Sequence, residues 1–439
     1  VTNVTLGALR DRRPNLSPTA LDGLLFAGSA VFAVSLWSAS DLSPHRDWGR
    51  DSFAAYAACA VAAFVLARLG PRRVLRARVV LTATCFVLVA LVPMSLMIRA
   101  RHDSRGELHV LPEVAVIERA GNRLANGQDP YVAEVIGHRL VGQVPGVPRY
   151  EAFFPYFSAM TVFGLPSTVS WLGPLGDGRV WMALVTLGLL FVGLWLARAP
   201  PDRALRAAQV LCVLPTGALF FAGGGDDLPI LAISLVALAA ILRRRPLAAG
   251  VVFGLAMAMK LTVWPLAALS LFVVRDASGR RVPGRVAATM AAIVTVFVVP
   301  FAIWNPRTFV VNTIAFPLGL SSVNSPAASP LPGHVIASLV PGAHRALLIV
   351  LGILGSPLLV WWLRHRRPID VADVCRLTAV IAIIVMCLAP ATRIGYLVYP
   401  VNLLVWSWLF DHAPEGRLTA LGDDEGVSIT PGGTAAPVT

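Results

Sequence analysis

Two carboxylates at helical spacing, Glu113 and Glu118, stand in the run PEVAVIERAGNRLANGQDPY. That run lies inside the one long polar stretch of the chain, Arg101 to Glu151. Pro112 is placed to open a helix, and Asn126-Gly127 is a stop signal. Val114, Ile117 and Leu124 supply an apolar stripe. The spacing predicts a short amphipathic helix at the membrane surface, with Glu113 near its start, where the helix dipole favours a carboxylate. The plainer reading makes both glutamates the solvated face of that helix. Asp226-Asp227, in GGGDD, is a second candidate. Two adjacent carboxylates between apolar runs are costly to bury. They bind a cation, orient a sugar or form a solvated turn. Arg393, in APATRIGYLVYP, is an isolated cation between apolar runs. It suits a lipid phosphate or snorkels to headgroups. Lys260 is the second phosphate candidate by the same argument. His109, His334 and His344 do not form a zinc motif and read as structural.

The elements that must hold these residues are apolar. The 439 residues are 56% hydrophobic and 14% charged, with mean hydropathy +0.71. Soluble domains carry about 25% charged residues, so the composition predicts an all-α polytopic membrane protein and excludes a soluble domain. The formal net charge is +13. The basic residues gather in short loops between apolar runs, as cytoplasmic loops do. This points to anionic lipids and away from nucleic acid. Five cysteines lie in apolar segments with no C-x-x-C pair and read as small core residues.

In chain order, residues 1–20 read as a cytoplasmic segment, followed by an uncleaved first helix. Residues 21–410 read as the transmembrane domain, with extracytoplasmic loops over 101–152 and 305–344. Residues 411–439 read as a disordered cytoplasmic tail. Apolar runs of spanning length number about twelve. The piece 153–172 is interrupted by Pro155 and Pro166. If it crosses, RRRP at 243–246 and the later basic loops turn outward, so charge bias favours a segment that does not cross.

The run E-V-A-V-I-E-R-A-G-N-R-L-A-N-G-Q-D-P-Y, followed by F-F-P-Y-F, resembles the start of polyprenyl-phosphate-sugar-dependent glycosyltransferases of the GT-C type. The nearest resemblance is to the actinobacterial family 87 mannosyltransferases. Residues 223–272, from GGGDD through AMAMKLTVWP, resemble the family's Gly-polar hairpin and its helix ending in Lys-x-x-x-Pro. The resemblance implies a GT-C-like bundle of about 12–13 transmembrane helices. Glu113 stands where the family has Asp. Gly127, Pro130 and Tyr131 fit its turn, and Phe154, Pro155 and Tyr156 fit its aromatic segment loosely. Three apolar runs precede the long loop where the family has one.

The resemblance implies transfer of a sugar, mannose first, from a polyprenyl phosphate to an envelope glycolipid or polysaccharide at the plasma membrane, with inversion. Glu113 would take the acceptor proton. Arg393 or Lys260 would meet the donor phosphate. Asp226, Asp227, Tyr131 and Tyr156 would line the substrate. No cofactor is required beyond a possible divalent cation. Two other readings are a transporter or flippase of lipid-linked precursors, and an inactive structural relative. Polar groups clustered at loops rather than in mid-span weigh against the transporter.

Overall fold

The computed structural model describes residues 16–70, 74–104, 109–279, 281–340, 342–365 and 369–411. Residues 1–15 of the expected N-terminal segment and 412–439 of the expected tail lie outside the described residues. The helices run α1 Pro18–Ala39, α2 Ser43–Leu69, α3 Val74–Phe86, α4 Val92–Ser104, α5 Pro112–Ala125 and α6 Gly178–Ala197. They continue with α7 Pro201–Ala208, α8 Pro215–Gly223, α9 Asp227–Leu242, α10 Pro246–Met257, α11 Trp264–Ser278 and α12 Val282–Trp304. The last are α13 Pro306–Val310, α14 Pro332–Leu339, α15 Ala343–His365, α16 Val371–Leu388 and α17 Val398–Phe410. Among the described residues the only sheet is a hairpin of β1 Glu134–Ile136 and β2 Arg139–Val141, paired Glu134 to Val141.

Six of these units are long and apolar enough to cross a bilayer: α1, α2, the joined α3–α4 unit, α6, α12 and α16. A seventh is bent by 47° between Val213 and Pro215, where Pro215 cannot donate to the preceding turn. Five shorter apolar stretches complete the bundle: 227–242, 246–257, 261–275, 343–353 and 394–410. The result is an all-α polytopic membrane protein; among the described residues six or seven units reach spanning length, fewer than the roughly twelve runs expected, because five of the apolar stretches form shorter helices. α9 (DLPILAISLVALAAIL) is apolar all round and buried from Asp227 to Ile241, as expected of a central helix.

Residues 153–172 form no continuous helix. They fold into short 3-10 turns over 158–163, 165–168 and 170–176. Pro155, Pro166 and Pro174 remove donors that a longer helix would need. The turns pack on α5 through two glycines. A Cβ at Gly164 would overlap the Ile117 carbonyl, and one at Gly121 would overlap the Gly164 backbone. Backbone therefore rests on backbone at this crossing.

Candidate active site

The polar stretch packs onto the bundle rather than standing off it. The Leu111 N–H donates to the Gly223 carbonyl at 2.8 Å, which ties the start of α5 to the GGGDD loop. Gly224 turns that loop with φ +97°, and a Cβ there would collide with Val114 and Arg179. Only glycine allows α5 this close. At the other end, Gly127 takes φ +69° and stops the helix, as the Asn-Gly pair predicts.

Glu118 holds α5 in place from below. Its carboxylate accepts Arg101 at 2.7 and 3.2 Å and the Gly178 N–H at 2.8 Å. Arg101 also reaches Asp177 at 2.9 Å, and Asp177 clasps Arg179 at 2.8 Å. Burial alone would raise the Asp177 carboxyl, but Arg179 and Arg101 hold it below the usual carboxylate range. Arg179 in turn donates to the His109 and Ala222 carbonyls, at 2.8 and 3.2 Å. Neither glutamate is simply a solvated face: Glu118 is a structural anchor, and Glu113 points elsewhere.

Glu113 pairs with Arg393 through Oε1, across 280 positions of sequence. Its Oε2 is buried and has no hydrogen-bond partner. Arg393 lies between α16 and α17 and is clamped on both sides by the second long loop. The Ser329 N–H donates to the Thr392 carbonyl at 3.0 Å, and Ser329 Oγ accepts the Ile394 N–H at 2.7 Å. His334 Nδ1 meets the Pro390 carbonyl at 3.0 Å. Burial opposes the Arg393 charge, yet Glu113 outweighs it and raises the guanidinium pKa.

Asp226, Asp227 and Lys260 form a buried cluster, with 2%, 6% and 7% of each exposed. Lys260 Nζ lies 2.7 Å from Asp226 Oδ2, and it pairs with Asp227 Oδ1. The Tyr399 hydroxyl donates to Asp227 Oδ1 at 2.5 Å and lies 2.8 Å from Thr262 Oγ1. The ammonium also sits 5.3 Å from the centre of the Tyr156 ring, a cation–π contact. Asp226 precedes α9, outside the spans. Burial, seconded by Asp227, pushes its carboxyl up to about 7 against the pull of Lys260. The Glu113 charge reaches Asp226, and Tyr156 feels Glu113, Arg393, Asp226 and Lys260 together. Both clusters therefore belong to one locus.

Tyr131 reaches that locus only through a neighbour. It is 1% exposed, packs on Phe154 and Phe309, and donates to the Tyr156 carbonyl at 3.0 Å. Asn312 adds a second brace: Oδ1 accepts the Phe154 N–H at 2.9 Å and Nδ2 donates to the Ala133 carbonyl at 2.9 Å. His109 bonds Asp47 at 2.8 Å. Sequence reasoning missed His45, which lies within the fields of Glu113 and Arg393. It also missed Thr262, and it read Tyr399 as an interfacial aromatic rather than as a partner of Asp227. One signal for the cluster was available: Lys260 is the only lysine in a chain with 37 basic residues.

The model of glycosyltransferase family 87 matches residues 154–390, over half of the chain. The chain belongs to glycosyltransferase family 87. No curated protein and no solved structure matches it. The family 87 match takes in Tyr156, Asp226, Asp227 and Lys260. Arg393 lies just past its end and Glu113 before its start. The family implies a sugar donor and an acceptor.

Proposed function

We propose that this glycosyltransferase moves mannose from a polyprenyl-phosphate donor to a glycolipid or polysaccharide of the cell envelope, outside the plasma membrane, with inversion. The acceptor oxygen attacks the anomeric carbon and loses its proton to Glu113. The bond from that carbon to the phosphate oxygen breaks, and its electron pair leaves with the polyprenyl phosphate. Arg393 offsets the charge that develops there. Asp226, Asp227 and the Tyr156 ring face the sugar. One carboxylate acting as base, on the side opposite the leaving group, gives inversion.

The observation that carries this reading is the Glu113–Arg393 pair. A carboxylate with one buried oxygen unpartnered meets an arginine, beside a second buried charged cluster. Base and phosphate cation are the two groups this transfer needs; in the proposed reaction the entering donor parts the pair, so that the anomeric carbon lies between carboxylate and phosphate.

The test uses the purified chain with a polyprenyl-phosphate mannose and envelope acceptors, with the product anomer read by NMR. Arg393→Ala is expected to weaken donor binding about 10- to 100-fold, the scale of a charge-assisted contact, while the protein stays folded and inserted. Unchanged donor affinity removes Arg393 from the phosphate. Transfer from nucleotide sugars and not from polyprenyl-phosphate sugars overturns the donor assignment.

A further inference from the structure

The chain contains 36 arginines and one lysine, and the lysine is Lys260. It is also the cation of a deeply buried charged cluster at the site. It stands in the break between α10 and α11 in an extended conformation, φ −148° and ψ 137°. A lysine ammonium is a compact point charge with three donors, whereas guanidinium is a broad planar fork. Two adjacent carboxylates, Asp226 and Asp227, leave room for a point charge. The ammonium fills the space between them and takes an oxygen from each. The Tyr156 ring stands over it. Asp227 Oδ1 also accepts the Tyr399 hydroxyl.

We infer that Lys260 is the resident cation of the Asp226-Asp227 pair, so that transfer at this site needs no divalent metal and removal of the lysine opens a divalent-cation site. The inference rests on the proposed transfer only for its activity readout. A divalent ion would occupy the position between the carboxylates that the ammonium fills. It would also want six or more oxygens at about 2.0–2.6 Å. Among the described residues no three or more His, Cys, Asp or Glu side chains converge as a metal cage. An ion added beside the ammonium would meet like charge in a desolvated place. Lys260 is thus a positioning residue: it holds two neighbouring carboxyl groups paired and oriented without an outside ion.

The experiment is run on the purified full chain. Wild-type transfer is expected to hold within about twofold in EDTA and to gain nothing from added Mn²⁺. Mn²⁺ binding, read by electron paramagnetic resonance without substrate, is expected to be the same in wild type and Asp227→Asn. Lys260→Met leaves two uncompensated carboxylates and the vacated space for water to complete an ion's shell, and is expected to bind Mn²⁺ at least about tenfold more tightly than wild type. That gain is lost in the Lys260→Met, Asp227→Asn double variant. With lysine nitrogen labelled, the wild type gives one ammonium resonance, which is expected to shift on Asp227→Asn.

Wild-type Mn²⁺ binding that Asp227→Asn abolishes overturns the inference. So does transfer stopped by EDTA and restored by Mn²⁺, or a folded Lys260→Met protein that takes up no Mn²⁺. Should Lys260→Met not fold, the wild type and Asp227→Asn decide. Absence of transfer from every polyprenyl-phosphate sugar counts against the proposed donor alone, because the Mn²⁺ measurements need no donor.

Discussion

Replacing Glu113 by Gln separates proton transfer from charge pairing. In the native pair Oε1 faces Arg393 and Oε2 is buried without a partner. Arginine only donates, so the glutamine oxygen must keep the Arg393 side. The amide NH₂ then replaces the unpartnered Oε2. An acceptor becomes a donor at the one place where an acceptor proton could arrive. General-base catalysis contributes about 10²- to 10⁴-fold, or roughly 2.7 to 5.4 kcal/mol of barrier. The expected result is a kcat lower by at least about a hundredfold.

Donor affinity should not fall with it. Arg393 keeps a neutral hydrogen bond and loses a competing anion, so its guanidinium is at least as available to phosphate. The assay is single-turnover transfer on purified protein, with donor Kd measured separately. A kcat within about tenfold of wild type refutes Glu113 as base. A large loss of donor affinity with kcat intact makes it a counterion for Arg393 instead. If Glu113→Gln turns over normally while Asp227→Asn or Asp47→Asn is dead, the base lies there.

Glu118→Gln is expected to act on stability. It removes one anionic partner of Arg101 while Asp177 stays at 2.9 Å, a cost of about 2–3 kcal/mol. Thermal unfolding in detergent checks this, and turnover per folded molecule should fall far less than for Glu113→Gln. The pH response is a separate matter. Asp226 rises from an ordinary 3.8 to about 7 on folding, so the folded state holds a proton that the unfolded chain releases in between. Stability from this group is present at low pH and is lost as pH rises through about 7. The thermal midpoint should decline across that window in wild type, and the slope should shrink in Asp226→Asn.

The bundle was legible because its signals are local. Apolar runs, Pro112 at a helix start and Gly127 at its stop all act within a few residues, and each stands where expected. Asp226, Asp227, Lys260, Glu113 and Arg393 were legible as residue types out of place in an apolar chain. Their partnerships were not. Glu113 meets Arg393 only after the whole chain folds, and Glu118 meets a backbone N–H 60 positions on. Spacing within one helix says that Glu113 and Glu118 face different ways, but not that one anchors and the other waits. Tyr131 reads from the sequence as a substrate contact, yet its hydroxyl is spent on the Tyr156 backbone.

The contact of Gly121 with Gly164 governs how far α5 can move along its own axis. α5 is fastened to the loop at Gly223 before its first turn, and it rests on bare backbone at Gly121, two turns and about 12 Å beyond Glu113. A helix held at both points has no slack along its axis. A change of side-chain length at position 113 cannot be absorbed by sliding the helix. It must appear at the far end, where the carboxylate meets Arg393. Any adjustment of reach in this enzyme therefore falls on the segment that carries the arginine, and on Ser329, which holds that segment still.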